Sequence, residues 1–341
     1  MRRHLRTAAV LLVAGALMAL FLRNTDLRQV GVEMAGAARA PLVLALLLTG
    51  CTYALRALRW QYLLLPIGHV RFTSALTTTL IGFAATALLP ARAGELLRPY
   101  MLARKEGLSA TATFATIIVE RLLDTLTVLV LFAAYLLVFD PGTRTDEATF
   151  GQVKLGGALA AGACLAALAL LFVISGKPAL LARADAVLMR VLPDWLAARL
   201  SRLLRTFAEG LGIVRQPRRL CAALVLSVPL WLSIAGGIWL VTHAFGIAMP
   251  FAGSFVLLAL LVVGVAVPTP GAIGGFHYFY RLGVTGFFDA PGNSAVGAAI
   301  VLHAISFVPV AVAGVLLLAH EGMSLTRLGA MARTGRAEGP A

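Results

Sequence analysis

Leu88-Leu89-Pro90-Ala91-Arg92-Ala93-Gly94-Glu95-Leu96-Leu97-Arg98 interrupts an apolar run with a proline, a glycine and three charges. A second interruption, Pro268-Thr269-Pro270-Gly271-Ala272-Ile273-Gly274-Gly275, lies in the other half of the chain. In water either stretch is an ordinary loop. Inside a bilayer, broken backbone survives only where protein or a water-filled cavity surrounds its polar groups. Two such breaks at corresponding places in two halves are the pattern of a transporter's binding site.

Composition places both stretches in a membrane protein. Of 341 residues, 60% are hydrophobic and only 13% are charged, with a mean hydropathy of +0.90. Soluble domains carry about 25% charged residues. Runs near the ~20 residues that a helix needs to cross hydrocarbon read as six full spans: 7–22, 41–58, 112–139, 155–175, 219–245 and 295–320. Two further apolar stretches, 74–89 and 251–267, run into the interruptions. The basic start, Met1-Arg2-Arg3-His4-Leu5-Arg6, resembles a signal peptide. It lacks a small-residue cleavage site, so it reads as an uncleaved first helix. The net charge of +14 is read as Lys and Arg gathered on the cytoplasmic side, not as a nucleic-acid surface. Cys51, Cys164 and Cys221 are scattered through apolar segments and form no disulfide or metal set.

Loop charges give the orientation. Arg2, Arg3 and Arg6 place the N-terminus inside. The 176–219 connection, with nine basic residues against three acidic, belongs inside too. So do 56–73, with Arg56, Arg59 and Arg71, and 98–105, with Arg98, Arg104 and Lys105. Loop 140–154 fits the outside, and the tail 321–341, a disordered cytoplasmic segment by composition, fits the inside. If 74–89 crossed completely, every later loop would invert. Parity is kept if 74–89 descends, breaks at Pro90–Gly94 and returns by residue 105 to the same face. Likewise 251–267 enters from outside, breaks at Pro268–Gly275 and returns through 276–288. The expected fold is therefore an all-α polytopic membrane protein with six full spans and two re-entrant hairpins, 74–105 and 251–288. The halves have opposite orientation, an inverted-topology repeat. Residues 1–175 hold the first repeat, and span 155–175 opens the second, which continues through 219–320. The 176–218 connection is expected to form two amphipathic cytoplasmic helices broken at Pro193, lying on the anionic leaflet or packed on the bundle.

Ionisable groups at membrane depth are costly and mark candidate sites. Arg92, Glu95 and Arg98 sit on the first hairpin, and Glu120, Arg121 and Asp124 on the following span. Glu120 and Asp124 share a helical face, and Glu120 lies about 12 Å along the helix counted from residue 112. These six charges sum to zero. They fit either a set of ion pairs that pins the hairpin or a site that binds substrate. Gly94 opens the returning helix, where free amides and the helix dipole favour a phosphate. Arg92 or Arg98 would add a bidentate clamp. Pro270, Gly271, Gly274 and Gly275 offer a similar turn in the second half, with Arg281 further on. His243, His277 and His303 read as core or interface residues. No Walker loop, nucleophile elbow or metal-ligand spacing occurs. No catalytic residue, metal or cofactor is therefore expected.

These residues bring a resemblance. Arg56-x-x-Arg59-Trp60, Leu89-Pro90-Ala91-Arg92-Ala93-Gly94-Glu95-Leu96-Leu97-Arg98, Val119-Glu120-Arg121-Leu122-Leu123-Asp124 and Pro268-Thr269-Pro270-Gly271-x-x-Gly274 are similar to the flippase-like transmembrane region of lysylphosphatidylglycerol synthases, in its standalone form. The similarity covers roughly 7–320. It implies a bacterial inner-membrane protein, with both termini cytoplasmic, that flips or scrambles a phospholipid or aminoacyl-phospholipid headgroup. The family's soluble aminoacyl-transferase domain has no counterpart here, so lipid aminoacylation is not implied. The chain has Ala272 and Ile273 where the family often has further glycines, and Phe276-His277-Tyr278 where an acidic residue is common; these departures bear on the substrate. Membrane phospholipids are the implied partners. A separately encoded lipid-biosynthetic enzyme and a second copy of the chain are further candidates; nucleic acid is not. Two other function classes stay in view, a membrane-embedded lipid-modifying enzyme using Glu120 and Asp124, and a scaffold for a biosynthetic enzyme.

Overall fold

Proline and glycine set where the helices stop. In the computed structural model the described residues are 2–89, 92–138, 178–267, 269–321 and, within 155–173, all but 157, 160, 168, 171 and 172. Among these the chain is helical, with no strand. The helices are α1 (Arg2–Leu22), α2 (Leu27–Gly36), α3 (Arg39–Leu64), α4 (Phe72–Leu88), α5 (Gly94–Glu106), α6 (Ala110–Val138), α7 (Pro178–Val191), α8 (Asp194–Gly210), α9 (Pro217–Ala244), α10 (Gly253–Ala266), α11 (Gly275–Phe288) and α12 (Gly292–His320). The described part of 155–173 is helical too. Helices α3, α9 and α12 are long and apolar enough to cross a membrane, whereas α4 and α10 are shorter. Those two stop early because a proline two residues on disfavours helical backbone in its predecessor; Leu89 and Val267 are both extended.

The protein is arranged for an apolar solvent. Val43, Leu47, Val308, Val312 and Leu316 point outward and are exposed, while Arg59, Glu120, Thr78 and Ser227 are fully buried. Lipid accepts the first set at no penalty, and the polar set needs partners inside.

Each interruption joins two helices that pack against one another, α4 on α5 and α10 on α11. Both pairs close on glycines. A Cβ on Gly94 would collide with the Gly82 carbonyl, and one on Gly275 with the Gly264 carbonyl. Each turn also holds a non-glycine residue in the left-handed region, Arg92 (φ 53°) in the first and Ala272 (φ 58°) in the second. The second turn lies against the end of α4, with Gly271 beside the Ala87 carbonyl. The second interruption therefore lies beside the end of the helix that leads into the first.

Three features differ from the sequence expectations or extend them. Helix α3 runs on to Leu64, so Arg56 and Arg59 are not loop residues: both are buried inside the bundle. Carboxylates on α6 make that burial tolerable. Helix α2 was not anticipated; Asp26 caps it, accepting from the amides of Arg28 and Gln29. Helices α7 and α8 break at Pro193 as expected. An Arg205–Asp185 ion pair links them, and α8 packs on α6 with Gly210 against Ala112. Loop 140–154 and residues 322–341 lie outside the described residues.

Candidate functional site: an arginine-rich cluster opening on an amphipathic chamber

Helix α3 carries Arg56 and Arg59 three residues apart, hence on neighbouring positions of one face. Helix α6 presents Glu120 and Asp124 four apart, and α5 adds Arg98. Arg59 is fully buried; its Nη1 donates to Asp124 Oδ1 at 2.7 Å and to Ser227 Oγ at 2.8 Å, while Nη2 is 3.6 Å from Glu120 Oε1. Arg98 donates from Nη1 to Glu120 Oε1 at 2.9 Å and from Nε to Thr79 Oγ1 at 3.2 Å. Its guanidinium lies 3.9 Å from the centre of the Trp60 ring, a cation–π contact that strengthens with desolvation. Trp231 Nε1 donates to Asp124 Oδ1 at 3.0 Å. Arg56 and Arg121 approach Asp124 Oδ2 at 3.8 and 3.7 Å without hydrogen-bonding it, and Arg121 also reaches Glu120 Oε1 at 3.4 Å.

Four guanidiniums thus surround two carboxylates, a surplus of two positive charges. Arg92 and Glu95 pair with each other at 3.1 Å, both about two-fifths exposed, and add nothing net. The six charges singled out from the sequence balance to zero; Arg56 and Arg59 break that balance. Arg56 Nη1, Arg59 Nε and Nη2, Arg98 Nη2 and Arg121 Nε are buried without a hydrogen bond, as are Glu120 Oε2 and Asp124 Oδ2. Unmet donors on buried cations are expensive in a low-dielectric interior and are rare without a reason.

The cluster borders a cavity of about 360 Å³. Its lining mixes charged and hydroxyl residues, among them Arg56, Arg92, Arg121, Asp124, Thr52 and Ser233, with apolar ones such as Val128, Ile238, Leu258, Leu261, Leu302 and Ile305. Its walls come from α3, α4, α6, α9, α10, α11 and α12, so both halves of the chain build it. The Thr52 and Ser233 hydroxyls join α3 to α9 across this wall at 2.6 Å.

Of the residues expected from the sequence, Arg98, Glu120, Arg121 and Asp124 come together, and Arg92 lines the chamber with Glu95 beside it. Gly94 and Gly275 serve hairpin closure. Pro270 and Gly271 shape the second turn, where the Gly271 carbonyl accepts from His303 Nε2 at 2.8 Å. Gly274 (φ 90°) packs on α1 at the Ala14 carbonyl. Arg281 is not brought to the cluster. It donates to the carbonyls of Phe21 and, at 3.0 Å, Arg23, satisfying the open end of α1. Arg56, Arg59, Ser227 and Trp231 join the site unforeseen. For the two arginines a signal existed: Thr52, Arg56, Arg59 and Leu63 recur at helical spacing, and apolar residues continue to Leu65.

No curated protein matches this chain. A family model described as Lysylphosphatidylglycerol synthase TM region matches residues 7–314, a span that takes in both hairpins and every member of the arginine cluster; the chain belongs to that family.

Proposed function

We propose that this protein carries a polar phospholipid headgroup from one leaflet to the other through the chamber between its hairpins, while the acyl tails stay in lipid. The observation that carries the reading is the arginine-rich cluster bordering a cavity lined by both charged and apolar side chains. Such a cavity can shelter a charged group at membrane depth and offers contacts to both the polar and the apolar parts of an amphiphile. In this reading α1, α3, α6, 155–175, α9 and α12 span the bacterial inner membrane with both termini cytoplasmic. Hairpins α4–α5 and α10–α11 re-enter from opposite faces as parts of an inverted repeat. The early stops of α4 and α10, the glycine pair in each hairpin and the packing of the second turn on the end of α4 support it. Glu120 faces Arg59, Arg98 and Arg121, and Asp124 faces Arg56, Arg59 and Arg121. Carboxylates so surrounded suit fixed counter-ions better than an acid–base pair, which favours transport over lipid modification.

The test is reconstitution in liposomes with headgroup-labelled phospholipids and leaflet-selective quenching. Wild type should exchange lipid well above empty liposomes, while Arg98→Ala and Glu120→Gln, at matched insertion, should fall by about tenfold or more through loss of one charge-assisted pair. Background exchange by wild type across anionic, zwitterionic and cationic lipids would sink the proposal.

A further inference from the structure

We infer that the chamber selects an anionic phospholipid by its phosphodiester, excludes headgroups that carry an added cation, and lets one acyl chain leave sideways between α3 and α12. The inference rests on the headgroup reading of the chamber but does not require translocation.

Charge is the first argument. A phosphodiester brings one negative charge to a site with two unmatched positive ones. An aminoacyl headgroup brings a cation as well and needs a free carboxylate. The chamber wall has only Asp124, whose charge is already matched by Arg59, which with Trp231 hydrogen-bonds it, and by Arg56 and Arg121 nearby. Glu120 does not line the chamber and is likewise surrounded by Arg59, Arg98 and Arg121.

The second argument is donor geometry. Arg56 is over nine-tenths buried, lines the chamber, and leaves Nη1 without a hydrogen bond. Arg121 approaches the same Asp124 oxygen from another helix, also too far to bond it. Two guanidiniums converging in this way, each with spare N–H groups, suit phosphate oxygens that accept several charge-assisted bonds at once. Beside them the Thr49 hydroxyl donates to its own helix carbonyl, and the Thr52 and Ser233 hydroxyls are engaged with each other and with their helix carbonyls, so the charged donors near the chamber are the arginines.

The third argument separates a lipid from free phosphate. A shallow groove on the outer surface, lined by Leu46 on α3 and by Ile305, Val308, Val312 and Leu316 on α12, has apolar walls. Ile305 lines both the groove and the chamber. From Ile305 to Leu316 the groove follows α12 for about 16 Å at 1.5 Å per residue, roughly one leaflet of a ~30 Å hydrocarbon core. A headgroup at Arg56 with its chain passing Ile305 therefore lies along one leaflet.

The experiment is native mass spectrometry of the full chain in neutral detergent. It is titrated separately with dioleoyl-phosphatidylglycerol, dioleoyl-phosphatidylcholine, lysyl-phosphatidylglycerol and inorganic phosphate. Phosphatidylglycerol should bind about tenfold more tightly than each of the others. Arg56→Gln and, separately, Arg121→Gln should remove most of that preference, while Ile305→Trp should weaken phosphatidylglycerol binding without changing the headgroup ranking. Lysyl-phosphatidylglycerol binding as tightly as phosphatidylglycerol overturns the charge argument, and inorganic phosphate binding as tightly overturns the lipid one. If the arginine variants do not fold, the ranking by wild type still decides. Wild type that shows this ranking but moves no lipid in liposomes refutes translocation and supports the present inference.

Discussion

Hairpin α4–α5 closes on Gly82 and Gly94 and turns through a left-handed Arg92, and hairpin α10–α11 closes on Gly264 and Gly275 and turns through a left-handed Ala272. Four residues beyond the second glycine of each pair stands the side chain that the first glycine makes room for. In the first hairpin it is Arg98 against Gly82; in the second it is Phe279 against Gly264. The first hairpin thereby sends a guanidinium to Glu120. The second builds an aromatic wall in which His277 and His303 lie 4.6 Å apart and His303 stacks on Phe307 at 4.5 Å. One backbone frame thus carries two chemistries: a charged arm that joins the arginine cluster and an aromatic arm whose Phe276 lines the chamber.

That contrast is best broken by removing what is special to each arm. Glu120→Leu strips a counter-ion from Arg59, Arg98 and Arg121 and should destabilise by about 3–5 kcal/mol, the range for leaving buried charge unpaired. His277→Leu, at a ring whose Nδ1 has no hydrogen bond, exchanges one packed side chain for another of similar volume and should lower stability by less than about 1.5 kcal/mol. Thermal unfolding in detergent measures both. Equal, small losses would mean that ion pairing does not hold the first hairpin.

The shared frame is tested by Gly94→Ala and Gly275→Ala. Each added methyl meets a backbone carbonyl across its hairpin, so each should cost about 1–3 kcal/mol by overpacking. Parallel losses in unfolding midpoint support one frame used twice. Tolerance at one site only would show that the resemblance between the hairpins is superficial.

The smallest effect is expected away from both hairpins. Arg205, by hydrogen bonding Asp185, holds that carboxyl below its ordinary value of 3.8. A lowered folded value means that the link is fully formed above about pH 3.8 and is lost as pH falls through the folded value. Arg205→Ala should lower amide protection in α7 and α8 at neutral pH, measured relative to the intrinsic exchange rate, and should remove the fall in protection that acidification causes in the wild type. Exchange in α4–α5 and α10–α11 should not change. Spread of the effect into either hairpin would tie the connecting helices to the chamber.

Local chemistry made much of this readable in the chain itself. Proline and glycine stop helices wherever they fall, so the breaks after Leu88 and Ala266 and the division at Pro193 were visible before any contact was known. Hydropathy, which sums over neighbours in the chain, identified a membrane protein, and the charged motifs identified its family. The same local reading misplaced Arg56 and Arg59, because an arginine near the end of an apolar run is as well suited to a loop as to a buried face. It also tied Arg281 to a phosphate turn.

What the sequence determined alone was therefore most of the helices, the two interruptions and most members of the charged cluster. The tertiary structure decided the cluster's sign, since Arg59 meets Asp124 across 65 positions and Ser227 across 168. It likewise decided that Gly94 and Gly275 serve closure and that Arg281 serves the end of α1. Such pairings depend on which helices lie side by side, and residue spacing along one chain carries no record of that.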